Sequence, residues 1–171
     1  MTPAPPRLRF RDATAADVAA IAALQNQTAG ALTARFGDGQ WSGATSERGT
    51  LASLRHACVR VGRDGRRIVT VARLATKKPW AIDVAYFTPV VRPLYLTGLA
   101  VAVSRQGQGL GRQALEDAAA VARAWPADAI RLDAYDAEAG ASGFYTRCGF
   151  ALRGQVVYKG IGLRYFERVF E

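Results

Sequence analysis

Histidine and cysteine are nearly missing from this chain. His56 is the sole histidine, and Cys58 and Cys148 stand far apart in the sequence. No CxxC pair occurs, so a zinc site would have to combine these three residues with a carboxylate or a water. The expectation is no metal and two reduced, buried thiols. His56 opens a strand-like run and reads as structural. Long apolar runs are missing too: none approaches the roughly 20 residues that span a bilayer. The opening MTPAPPRLRF lacks the apolar stretch of a signal peptide. A soluble, cytoplasmic protein with no membrane partner is therefore expected. Internal repeats and low-complexity linkers are absent as well.

Acidic residues are in deficit, leaving a net charge of +9. Such a charge attracts polyanions: nucleic acid, a membrane surface or a phosphate-rich ligand. The cations are scattered (Arg7, Arg9, Arg11, Arg63, Arg66, Arg67, Lys77, Lys78, Arg105, Arg112). No basic block carries the interleaved aromatics of a single-strand binding surface, so nucleic acid is not expected as the partner. What the chain does have is apolar mass: 171 residues, 50% of them hydrophobic, enough for one core. Residues 1–6 are expected to be disordered, and 7–171 to form a single domain.

Alternation around Leu8 and Phe10 predicts a short strand. Thr14 with Asp17 resembles a capping box, with Asp in place of Glu or Gln. Val18, Ile21 and Leu24 then mark one face of a helix running to about Ala29. Gly37, Gly39 and Gly43 punctuate a loop around Trp41, and Ser46 to Arg55 reads as a second helix. His56–Val61 and Arg67–Leu74 are strand-like around the turn GRDG, a hairpin. Residues 77–93 carry Pro79, Pro89 and Pro93 and read as irregular. Leu94–Val103 is a buried strand. Gly109–Trp125 has helical spacing and stops at Pro126. Ile130–Tyr135 is a strand, and Ala139–Arg147 a short helix closed by Gly149. Val156–Tyr158 and Leu163–Phe170 form a last strand pair. The order β-α-α-β-β-β-α-β-α-β-β implies a mixed, mostly antiparallel α/β sheet, with one parallel pair spanned by helix 109–125.

The sharpest feature is SRQGQGLGR at 104–112, between a buried strand and a helix. Glycines let a ligand approach the backbone. The first helical N–H groups lack partners inside the helix and can bind a pyrophosphate, with Arg105 and Arg112 as candidate charge-assisted donors. A plain strand-to-helix turn is the competing explanation. A Walker A loop is excluded, because Gly111 is followed by Arg112 and Gln113. The dinucleotide fingerprint also fails, because its third glycine, counted from Gly107, would fall on Arg112.

Here the sequence resembles the GNAT superfamily of acyl-CoA N-acyltransferases. Gln106-Gly107-Gln108-Gly109-Leu110-Gly111 fits that family's Arg/Gln-x-x-Gly-x-Gly/Ala signature, just after the strand Leu99-Ala100-Val101. A second signature, an aromatic-Tyr pair shortly before Gly-Phe, appears as Phe144-Tyr145 before Gly149-Phe150. The resemblance implies a central sheet with helices on both faces, acetyl-CoA as co-substrate and free CoA as product. It implies that Leu99, Ala100 and Val101 pair through their main chain with the pantetheine arm. Residues Gln106 to Arg112 would hold the pyrophosphate, and Tyr145 would act as general acid beside the sulfur. Many members carry Asn seven residues before that tyrosine; here the position is Glu138.

N-acetylation requires a neutral amine, so a general base or a water chain must remove its proton. Asp133, on the strand after the cofactor helix, is the first candidate, with Asp83 and Asp136 as alternates. A purely backbone-orienting Asp133 and a merely packed Tyr145 stay open. Trp41, Trp80, Asp83 and Tyr86 lie in the two irregular segments and are acceptor-pocket candidates. The acceptor expected is a small-molecule or peptide amine, and a homodimer fits the family. The rival functions are a non-catalytic acyl-CoA-binding regulatory domain and a basic nucleic-acid-binding module.

Overall fold

A computed structural model describes residues 4–171, so the first half of the expected disordered stretch 1–6 lies outside the described residues. Pro6 is tied to the body of the chain. Gln113 Nε2 donates to its carbonyl at 3.0 Å, and Leu8 N–H donates to Gln113 Oε1 at 3.0 Å.

The elements are β1 (Arg9–Asp12), α1 (Val18–Phe36), α2 (Glu47–Ser53), β2 (Cys58–Asp64), β3 (Arg67–Ala75), β4 (Pro93–Val101), α3 (Leu110–Ala124), β5 (Ala129–Tyr135), α4 (Ser142–Arg147), β6 (Ala151–Tyr158) and β7 (Ile161–Val169). Their order is the one the sequence predicts. The strands form a seven-stranded sheet ordered β1-β2-β3-β4-β5-β7-β6. Pairs β1–β2, β5–β7 and β6–β7 are antiparallel, and β4–β5 is parallel. A parallel pair needs a crossover, and α3 supplies it.

Turn chemistry sets the hairpins. Gly65, at φ 58, opens the two-residue turn between β2 and β3, as a II′ turn prefers. Lys159 at φ 49 and Gly160 at φ 80 both lie in the left-handed region, as a I′ turn between β6 and β7 demands.

The described chain divides into two compact units: residues 4–73 with 98–118, and residues 74–97 with 119–171. In the first, Ile21 and Leu24 of α1 pack with Val59, Val61, Val69, Val71 and Leu110. Each such side chain contributes about 1.5–3 kcal/mol by burial, more than the roughly 1 kcal/mol of a helix cap. Burial therefore holds α1 in place, and the cap sets where it starts. The capping interaction does form: Thr14 N–H donates to Asp17 Oδ2 at 2.9 Å, and Arg11 and Arg63 pair with Oδ1. Burial alone would raise the Asp17 pKa, but the Thr14 amide and the two guanidiniums outweigh it and hold it low. Cys58 is half-buried and Cys148 buried, both as free thiols.

In the second unit, Ile82, Phe87, Tyr95 and Tyr165 form a core. Beside it, Glu167 is fully buried. It accepts from Arg131 Nε at 3.1 Å, Arg153 Nε at 2.9 Å and Thr88 N–H at 3.2 Å. A buried carboxylate without such donors would cost several kcal/mol, so the three converge on it.

Candidate active site

Strand β4 ends at Val101, and a 3-10 turn over Val103–Arg105 leads to Gly107 at φ 74 and Gly109 at φ 77. Both glycines adopt a conformation that side chains resist. A Cβ on either would meet open space, so conformation, not crowding, demands glycine there. The first main-chain bond of α3 runs from Gln113 N–H to the Gly109 carbonyl at 3.2 Å. The amides before it have no carbonyl inside the helix to take. They open onto an exposed turn, where Gln106, Gly107, Gln108, Gly109 and Arg112 are all exposed. This cradle fits a pyrophosphate.

Its side chains brace the loop. Arg105 Nη1 donates to Asp64 Oδ2 at 2.7 Å and Arg105 Nε to Gln108 Oε1 at 3.2 Å. Arg105 is thus committed within the protein and positions the turn, unlike the phosphate donor expected from the sequence. Gln106 Nε2 donates back to the Val101 carbonyl at 3.1 Å, and Leu110 is buried in the core. Only the main chain of Leu110 can face a ligand.

Gly98, at φ 63, breaks the regular run of β4 just before Leu99, Ala100 and Val101, which are half-buried. Register with β5 covers Pro93, Leu94 and Tyr95. The edge of the later residues is where an extended ligand arm could add as a strand. Gly98 was not singled out from the sequence; an isolated glycine within an apolar strand is the signal that marks it.

Tyr145 and Asp133 lie in the second unit. Tyr145, on α4, is buried against Phe144, Phe150 and Phe166, with ring centroids 5.3, 5.9 and 5.6 Å away. Burial, with the charge of Asp133 and then Cys148 nearby, pushes its hydroxyl far above the usual tyrosine value. Asp133 sits mid-strand on β5, opposite Tyr165 of β7. Burial raises its carboxyl above the ordinary carboxylate range. A carboxylate so perturbed, near a shifted tyrosine, has the electrostatics of a proton-transfer site. The alternates are otherwise engaged. Asp136 pairs with Arg164 Nε at 2.7 Å, and Asp83 accepts from Ala85 N–H at 3.0 Å. Glu138 is exposed.

The acceptor-pocket candidates have separate placements. Trp41 Nε1 donates to the Gly37 carbonyl at 3.0 Å, and its ring covers Gly39, where a Cβ would collide with it. Trp80 is 83% exposed. Tyr86 stands edge-on to Tyr165 at 5.5 Å and covers Gly154. None of these lines the cleft of about 430 Å³ in the first unit, which is bordered by α1, α2, residues 44–46, β2, β3 and Gly98. Its volume is that of a small-molecule site. The sequence does not reveal it: half of its lining comes from the stretch 44–53, which carries no site motif, and the rest one or two at a time from α1, β2, β3 and β4.

The profile of the Acetyltransferase (GNAT) family matches residues 19–150. The chain belongs to the GNAT acetyltransferase family. No curated protein matches the sequence. Among solved structures, a ribosomal-protein-alanine N-acetyltransferase from Brucella melitensis is similar, with TM-score 0.74, 19% identity, and 95% of this chain and 100% of that one covered. The structure of yncA from Salmonella typhimurium with its cofactor acetyl-CoA gives 0.72, 19%, 97% and 95%. The PaiA N-acetyltransferase from Thermoplasma acidophilum, in complex with coenzyme A, gives 0.73, 10%, 96% and 100%. These proteins share the fold, including the mixed, mostly antiparallel sheet.

Proposed function

We propose that this chain is an N-acetyltransferase with acetyl-CoA as co-substrate. It moves the acetyl group to a primary amine of a small molecule, or to a protein amine, by direct attack in a ternary complex. The observation that carries this reading is the turn after β4, where two left-handed glycines present helix-start amides to solvent.

Bound acetyl-CoA supplies an acyl group activated as a thioester. The amides of Gly107 to Arg112 bind its pyrophosphate, and the main chain of Leu99, Ala100 and Val101 pairs with its pantetheine arm. An N–H on that strand polarises the thioester carbonyl. The amine nitrogen forms a bond to the acetyl carbon as the carbon–sulfur bond breaks, and CoA departs. A lysine-like amine of pKa near 10.4 costs about 4–5 kcal/mol to hold neutral at pH 7. Asp133 takes its proton, a task its raised pKa favours. Tyr145 stays protonated and donates a hydrogen bond to the departing sulfur.

The test is release of free thiol from acetyl-CoA across a panel of amines, with wild type and Tyr145→Phe. Turnover should fall by about 10²-fold or more in the variant, with CoA affinity retained. CoA binding without thiol release on any amine would leave a binding domain in place of an enzyme.

A further inference from the structure

Several partly buried arginines pair with carboxylates: Arg60 with Asp117 at 2.8 Å, Arg105 with Asp64 at 2.7 Å, Arg131 with Glu167 at 3.1 Å, and Arg63 with Asp17 at 2.5 Å although its Nε has no partner. Arg73, near the end of β3, is different. Its Nε is buried and has no hydrogen-bond partner among the described residues. Arg73 lines the cleft of about 430 Å³, in company with Gln25, Thr45, Ser46, Thr50 and Ser53. No Asp or Glu lines that cleft. A guanidinium with an unmet donor, surrounded by neutral hydrogen-bonding groups, is built to receive a planar anion.

The position of this cation matters as much as its charge. Arg73 Cδ lies 3.6 Å from the point a Gly98 Cβ would occupy, and Gly98 lines the same cleft. Gly98 directly precedes Leu99, Ala100 and Val101, the segment assigned to the acyl donor. A ligand held by Arg73 thus has its anion only a few bonds from where acetylation would occur.

We propose that the acceptor is an amino acid or a compact amino-acid-like amine, whose carboxylate is held by Arg73 in this cleft. The proposal rests on the acetyltransferase reading above. It sets the internal lysine side chain of a folded protein, which brings no nearby carboxylate, outside the preferred acceptors.

The experiment compares kcat/KM at saturating acetyl-CoA for the twenty amino acids and for matched amines lacking the carboxylate, such as leucine against isopentylamine and phenylalanine against phenethylamine. Wild type, Arg73→Gln and Arg73→Lys are compared, and CoA binding is followed by thermal shift. The expected result is a preference of about 30-fold or more for the carboxylated acceptor, expressed in KM. It should be abolished in R73Q and partly kept in R73K, with the KM for acetyl-CoA unchanged. Equal use of the two acceptor sets overturns the proposal, as does a preference that survives in R73Q. Intact CoA binding without turnover of any amino acid also overturns it. Loss of CoA binding by wild type defeats the acetyltransferase reading itself, a distinct and separately visible outcome.

Discussion

Asp133 carries opposed consequences for activity and stability. Its folded-state pKa is raised by burial, so the folded protein binds that proton more tightly than the unfolded chain does. This contribution to stability is fully present below the unfolded value and is lost as pH rises through the folded one. At neutral pH the buried charge therefore works against folding. Asp133→Asn should raise the melting temperature at pH 7–8, and the gain should shrink as pH falls through the folded pKa of Asp133. The same variant should lose turnover at every pH and lack the rising acid limb of the wild-type kcat/KM profile. Melting curves and initial rates across pH check both halves. A variant that is less stable at pH 8 and fully active would assign Asp133 to backbone orientation. The sequence names Tyr145 as a candidate through the aromatic-Tyr signature before Gly149-Phe150, and Asp133 through its place on the strand after the cofactor helix. Arg73 is not legible there, since nothing in its neighbours distinguishes it from the other surface cations.

Among the elements, the turn into α3 gives the sharpest contrast. Gly109 holds φ 77 with open space around it, while Gly43 holds φ −64, also with open space. Gly109→Ala should cost about 1–2 kcal/mol and raise the KM for acetyl-CoA, because its amides must turn. Gly43→Ala should be neutral or stabilising by up to about 1 kcal/mol. Denaturant midpoints and KM values for the two variants decide whether backbone hand or mere crowding governs the loop. The order of elements was readable throughout, since apolar period and turn residues agree along the chain. The extents were less so. Helix α1 runs on to Phe36, beyond the expected Ala29; its buried residues end at Leu24, so its later turns lie outside the core-facing spacing of Val18, Ile21 and Leu24. Its true stop signal is Gly37, at φ 82. Strand β6 begins at Ala151, well before the expected Val156. Its Arg153, Gly154 and Gln155 show no apolar alternation, and only pairing with β7 makes that stretch a strand. The expected strand Leu94–Val103 is one strand, Pro93–Val101, with Gly98 left-handed within it, and it stops short because Val103 belongs to a 3-10 turn.

For the whole molecule, binding and charge set the measurable behaviour. CoA at about a hundred times its dissociation constant adds about 2.7 kcal/mol to stability. For a chain of this size that lifts the melting temperature by about 5–10 °C. The net charge of +9 adds long-range attraction for an anionic ligand, which salt screens. The lift at fixed CoA should therefore shrink between 0.05 and 0.5 M salt, on the order of the change in affinity. A lift unaffected by salt would mean that local amides alone set the affinity. Among the described residues, no helix is long and apolar enough to cross a membrane.

The irregular stretch between β3 and β4 is riveted at intervals by side chains from elsewhere in its own unit. Tyr165 accepts from Asp83 N–H and donates to the Ala81 carbonyl, Glu167 accepts from Thr88 N–H, and Asp128 accepts from the N–H groups of Val91 and Arg92. All of these rivets grip backbone, and backbone is indifferent to which side chain it carries. Trp80, Val84 and Val91, left exposed between them, are thus free to drift over evolutionary time, or under a breeder's selection, while the path of the chain stays put.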